Sequence, residues 1–130
     1  MKTQLGRITI LVTDCDDAYE FYEKNLGCKK FFDLIDENGR RYLHVGFDTD
    51  IAAGIWLCEA ETEEQKCRIG DQTGGKPAFV LYTDSFVEFY DNLLSNGTKI
   101  KREPATVNDY QVLHFVDLYG NEIVVAESSK

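Results

Sequence analysis

Basic residues are scarce in this chain: 14 Lys and Arg stand against 23 Asp and Glu, giving a net charge of −9. So acidic a surface repels phosphate backbones and anionic lipid, which argues against nucleic acid or a membrane as partner and would attract a cationic one. Long apolar runs are also missing. The opening stretch "MKTQLGRITILVTD" is interrupted by Arg7 and closed by Asp14, too short and too polar for a signal peptide or a membrane span, so a cytoplasmic protein is expected. Cys15, Cys28, Cys58 and Cys67 form no C-x-x-C pair and no dense framework, which predicts reduced thiols and no zinc site built from them. What is present suits a packed core: 43% of residues are hydrophobic and 12% aromatic. A single chain of 130 residues is long enough to bury roughly two thirds of the surface its unfolded form exposes.

The sequence is written twice. "VTD" ending at Asp14 precedes Gly27 as "YTD" ending at Asp84 precedes Gly97, and the offset is 84 − 14 = 70. "LH" at Leu43 and His44 returns at Leu113 and His114 with the same offset, 114 − 44 = 70. Each copy opens with a strand, "RITILVT" or "PAFVLYT". Alternation places Ile8, Ile10 and Val12 with Ala78, Val80 and Tyr82 on the helix-facing side, and Thr9, Leu11, Phe79 and Leu81 on the other. Asp14 and Asp84 read as N-caps, and Gly27 and Gly97 as C-terminal stops. The helical stripes are Ala18, Phe21, Tyr22 and Leu26, then Val87, Tyr90, Leu93 and Leu94.

Three strands follow each helix: "CKKFFDLID", "RRYLHVGF" and "GIWLCEA", then "TKIKRE", "QVLHFVD" and "NEIVVAE". The fold class is therefore α+β, one domain over 1–130 built from two tandem βαβββ modules, 6–60 and 76–127. Residues 61–75 form a polar connector with room for a short helix before a Gly-Gly-Lys-Pro break.

The duplicated module, with "AYEFYEKNLG" after its first strand and "DLYGNEI" before its last, resembles the vicinal oxygen chelate superfamily of glyoxalases, bleomycin resistance proteins and extradiol dioxygenases. The resemblance covers Gly6 to Glu127 and implies curled mixed sheets around a cup, usually in a homodimer. In metal-using members the ligands come from the first and last strand of each module. Carried onto this chain, those positions are Arg7, Trp56, Pro77 and Val124. A guanidinium stays protonated, and indole, proline and valine offer no suitable lone pair, so no metal and no other cofactor are expected. Glu122 is read as unable to stand in as ligand without a shift in register.

The same resemblance makes Arg7, Tyr42, His44, Trp56, Phe79, His114 and Val124 the candidate ligand-binding residues, with Val116 beside them. Trp56 offers a flat face for an aromatic or cationic small molecule, or is packing; Arg7 can pair with a carboxylate or phosphate, or makes a surface ion pair. His44, His114 and Arg7 are the candidate catalytic groups, the histidines being equally readable as inherited pocket lining. Three functions compete: a metal-free protein sequestering a small molecule, a metal-independent lyase or isomerase using Arg7 with His44 or His114 on a carbonyl or carboxylate substrate, and a regulatory module without a ligand.

Overall fold

A computed structural model describes residues 1–47 and 53–128. The chain divides into two compact units, residues 1–69 and 70–130. The first contains β1 (Arg7–Val12), α1 (Cys15–Leu26), β2 (Lys29–Ile35), β3 (Arg41–Gly46), β4 (Gly54–Glu59) and α2 (Glu63–Arg68). The second contains β5 (Phe79–Thr83), α3 (Phe86–Ser95), β6 (Ile100–Val107), β7 (Tyr110–Val116) and β8 (Glu122–Glu127). Each unit holds one four-stranded mixed sheet, ordered β1-β4-β3-β2 and β5-β8-β7-β6. The pairs β1/β4 and β5/β8 are parallel, and the remaining neighbours are antiparallel. None of the described helices is long and apolar enough to cross a membrane.

In the first unit α1 starts where Asp14 accepts a hydrogen bond from the Asp17 N–H and ends at Gly27, whose φ of 77° suits a residue without Cβ. Cys15, Ala18, Tyr22 and Leu26 recur every three or four residues and are buried. They pack on the sheet face that presents Ile10, Val12, Leu43, Val45, Ile55 and Leu57, all of which are buried as well. Burial also pushes the thiols of Cys15 and Cys28 up to about 12, which keeps both protonated and unreactive at neutral pH. The short α2 falls within the sequence-assigned connector and opens with a capping box between Thr62 and Gln65.

The second unit departs from the first by one residue at its start. The N-cap of α3 is Ser85, not Asp84, so the offset between the helix starts is 85 − 14 = 71. The strand ahead of it moves with the cap. Phe79 pairs with Ile123 and Leu81 with Val125, both partners fully buried, while Val80 and Tyr82 are 50% and 75% exposed. The expected faces of β5 are thus reversed: Phe79 and Leu81 look toward the helix side, Val80 and Tyr82 away from it. The stripe of α3 is corrected in the same sense. Phe86 and Leu93 are its buried residues, and Phe89 lies 6.0 Å from the Phe115 ring, whereas Val87 and Leu94 are exposed.

Strand β6 extends past "TKIKRE" through Pro104 to Val107. Proline is tolerated because β6 is an edge strand with irregular register between Arg102 and Ala105. Asn108 and Asp109, with φ of 50° and 68°, then make a two-residue turn into β7, the positive-φ geometry that matches strand twist.

The "DLYGN" motif has a local explanation. The Asp117 carboxylate accepts from the backbone N–H groups of Tyr119, Gly120 and Asn121 at 2.9, 3.0 and 2.9 Å, and from the Asn121 side chain at 3.0 Å. Asp117 and Asn121 are both buried, so this turn delivers β8 in fixed register from an internally satisfied polar knot. Replacing Asp117 with Ala takes the carboxylate from the Tyr119 and Asn121 N–H groups and from the Asn121 side chain, while the Gly120 N–H keeps the Asp117 carbonyl at 3.2 Å. Loss of about 2 kcal/mol or more is expected, read as a lower urea midpoint, and Asp117→Asn, which keeps one acceptor oxygen, should fall between the two.

Candidate functional site

Register fixes which side chains share the face of the first sheet turned away from α1. His44 stands opposite Trp56 across β3/β4, and Thr9 stands opposite Trp56 across β1/β4. Arg7, Tyr42, Gly46, Gly54 and Cys58 follow by alternation. The Trp56 indole is stacked with Tyr42, ring centres 5.8 Å apart and planes at 22°, and meets His44 edge-on at 5.9 Å. Phe32 continues the row, 5.4 Å from His44.

Phe31 belongs to the same face, which simple alternation forbids. The β2 register shifts between Lys30 and Phe32, and this bulge turns two consecutive phenylalanines to one side. The Phe31 ring lies on Gly46 and Gly54. A Cβ on Gly46 would meet that ring at 2.4 Å, and one on Gly54 would meet it at 3.1 Å and the Val45 carbonyl at 2.7 Å. Arg7 places its guanidinium 5.2 Å from the Phe31 ring centre, within cation–π range.

Arg7 also decides the chemistry of His44. Its Nε–H donates to His44 Nδ1 at 3.2 Å, which puts the imidazole proton on Nε2. Burial, and then the neighbouring Arg7 charge, hold the His44 pKa below its ordinary value. His44 is therefore a neutral donor through Nε2–H, not a base. A cavity of about 310 Å³ opens against Trp56, lined by Arg40, Arg41, Cys58, Glu59, Glu61 and Gln65. Arg40 and Glu61 form an ion pair at 2.9 Å on its rim. Among the described residues, the Trp56 Nε1–H is the buried side-chain polar group that finds no protein acceptor.

The equivalent face of the second unit is differently built. His114 stands opposite Val124 on β8, and Val80 stands opposite Val124 on β5. Glu122 shares this face, which corrects its expected placement. Its carboxylate reaches His114 Nδ1 at 2.5 Å and Lys101 Nζ at 2.9 Å. The hydrogen bond to His114, then Lys101, hold the Glu122 pKa below the usual carboxylate range. An ionised carboxylate only accepts, so Nδ1 of His114 carries a proton and, in the neutral ring, Nε2 is the acceptor. The two repeat-related histidines consequently offer opposite groups, a donor at His44 and an acceptor at His114.

Of the sequence-assigned site residues, Arg7, Tyr42, His44 and Trp56 are brought together in the first unit, and His114 and Val124 in the second. Phe79 lies on the opposite face from Val124, and Ala78, not Pro77, takes the place that Arg7 holds in the first unit (78 − 7 = 71). Phe31, Phe32, Glu122 and Lys101 were missed. The doubled "FF" after Lys29 and Lys30 was a signal for the bulge, and the count of two from Val124 was a signal for Glu122.

The chain belongs to the glyoxalase/bleomycin resistance protein/dioxygenase superfamily, whose family model matches residues 4–125. A protein of uncharacterised function from Shewanella frigidimarina (strain NCIMB 400) is 33% identical over 126 residues, covering 93% of this chain and 90% of that one. Among solved structures, the crystal structure of UcmS2 has a TM-score of 0.84 at 24% identity, covering 98% of this chain and 100% of the other. TnmS3, an antibiotic binding protein from Streptomyces sp. CB03234, has a TM-score of 0.79 at 20% identity, covering 98% of each chain. At these identities the two structures establish the fold.

The divalent metal used by some members of this fold does not suit the residues present. Arg7, Trp56, Ala78 and Val124 occupy the corresponding strand positions, and none is a metal donor. Among the described residues no three His, Cys, Asp or Glu side chains gather in a metal-holding arrangement.

The lowered pKa of His44 has a signed consequence. The folded state binds a proton at His44 less readily than the unfolded state, so the contribution is complete above the ordinary value of 6.5 and is lost as pH falls below it. Between about pH 7.5 and about pH 5.5 the wild-type urea midpoint should drop by more than that of His44→Gln. The carboxylates with lowered pKa, Asp33, Asp36 and Glu122, act only at more acidic pH.

Proposed function

We propose that this protein binds a small aromatic molecule, without a metal, on the Trp56 face of its first unit. The observation that carries this reading is Trp56 itself: a ring stacked on Tyr42, facing a cavity, with a buried Nε1–H lacking a protein acceptor. The Trp56 ring offers a ligand a stacking surface, and Arg40, Arg41 and Gln65 on the cavity wall supply hydrogen-bond donors. The cavity volume falls at the small end of ligand pockets.

Arg7 favours an aromatic molecule bearing acceptor or anionic groups over a cation. Its guanidinium lies within the aromatic row and repels positive charge despite the acidity of the chain as a whole. The fold shared with an antibiotic binding protein supports a binding function for this architecture. The unsuitable donor set at the four strand positions supports independence from metal.

Because the chain has one tryptophan, its fluorescence reports this face alone. Titration with salicylate, indole-3-acetate and anthraquinone-2-sulfonate should change the emission, with a cationic dye such as ethidium binding more weakly. Trp56→Leu should weaken binding about tenfold, close to 1.4 kcal/mol, measured by calorimetry. Affinities left unchanged by Trp56→Leu defeat the assignment. Elemental analysis of protein purified without chelators should find metal well below one equivalent, and one equivalent of Ni, Zn, Mn or Fe would refute metal independence.

A further inference from the structure

The second unit holds a wide concavity of about 820 Å³ at the end of its sheet where β7 begins and β5 and β8 finish. Its position within the repeat is that of the Trp56 cavity. Arg40 answers to Tyr110 as His44 answers to His114, with the same offset of 110 − 40 = 70. Cys58, paired with Leu11, answers to Ala126, paired with Tyr82. Glu59 and Glu127 are then the corresponding carboxylates, each the last residue of its strand. Tyr82 reaches this face because β5 is displaced by one residue, and Leu11 stands at its place in the first unit (82 − 11 = 71).

The two places differ in charge. The first-unit cavity sets Arg40 and Arg41 against Glu59 and Glu61. In the second unit Tyr110 and Gln111 occupy the arginine positions, and among the described residues lining the concavity Glu127 is the charged one. Its carboxylate accepts the Gln111 N–H at 2.6 Å, which fixes it near the start of β7. Ala126 and Val112 pair across β7/β8 and make a low apolar floor. Tyr82, 75% exposed, borders that floor from β5, while Tyr110 and half-exposed Val107, paired with each other, border it from the β6/β7 hairpin. Two tyrosine rings and a carboxylate around an apolar floor match small molecules whose positive charge sits inside an apolar shell.

We infer that this concavity is a second binding site, selective for small organic cations, tertiary or quaternary ammonium groups with apolar substituents. The ammonium centre lies against the rings of Tyr82 and Tyr110 with Glu127 as counter-ion, and its substituents rest on Ala126, Val112 and Val107. Because the concavity is open, the bound charge keeps part of its hydration, and the cost of burying an ion is small. One carboxylate is too few oxygen donors for a metal ion, which directs the site to organic cations. The net charge of −9 adds attraction at long range. In the first unit Arg7, Arg40 and Arg41 disfavour the same ligand, so the two repeats sort small molecules by the sign of their charge.

The test is an NMR titration of the 15N-labelled full chain with benzyltrimethylammonium, taking benzyl alcohol as the neutral comparison and benzenesulfonate as the anionic one. The cation should shift the backbone amides of residues 107–112 and 126–128, with an affinity roughly tenfold or more above that of either comparison. Tyr82→Leu, at an exposed site that leaves folding intact, should weaken cation binding about fivefold or more. Glu127→Gln keeps an oxygen for the Gln111 N–H, so it should weaken the cation to a similar degree and leave benzyl alcohol unchanged. Equal affinity for the three probes overturns the inference. So does wild-type affinity for the cation in either variant, or a titration that leaves residues 107–112 and 126–128 unmoved. None of these outcomes bears on binding at Trp56, whose indole N–H signal reads the first-unit site separately.

Discussion

The parallel pairing of the first and last strand within each unit aims nearly every side chain of interest. Once Thr9 is opposite Trp56, the alternation of β1 and β4 sends Ile8, Ile10, Ile55 and Leu57 to the helix side and Arg7, Trp56 and Cys58 away from it. Once Val80 is opposite Val124, the same logic sends Phe79 and Leu81 inward and leaves Val80 and Tyr82 outside. Because the period is two, a slip of one residue exchanges the whole set. Burial enforces the register: Leu57, Ile123 and Val125 are fully buried, and turning them to the open face would expose the core.

On that scaffold, the charge beside each histidine sets what it offers. His44 and His114 are related by the repeat and lie at corresponding places in their sheets, opposite Trp56 and Val124. A guanidinium at Nδ1 makes one a neutral donor, and a carboxylate at Nδ1 makes the other an acceptor at Nε2. The duplicated architecture thus yields two chemically distinct faces: an aromatic row with a cation in the first unit, and an ion-paired histidine with apolar neighbours in the second.

Much of the fold was legible because helix and strand periods, an Asp ahead of the helix and a Gly after it recur in both halves. The first-unit face was legible as well, since β1, β3 and β4 alternate regularly and Arg7, Tyr42, His44 and Trp56 follow from parity. The second unit misled at one point. Asp84 imitates Asp14, but the helix begins one residue later at Ser85, and β5 is carried with it. That single residue removes Phe79 from the open face and puts Ala78 in place of Pro77. Phe31 escaped for a related reason: a bulge suspends alternation, and nothing in the period of two announces it.

The sequence by itself determined the duplicated βαβββ order and, in the first unit, the helix-side core. These depend on local periodicity and side-chain chemistry, which the chain carries residue by residue. Tertiary structure alone decided that Phe31 lies on two glycines, that Arg7 reaches His44, and that Glu122 and Lys101 close on His114. Each of these contacts joins different strands, so it depends on inter-strand register, and register is settled by the burial of the whole sheet face rather than by any one segment.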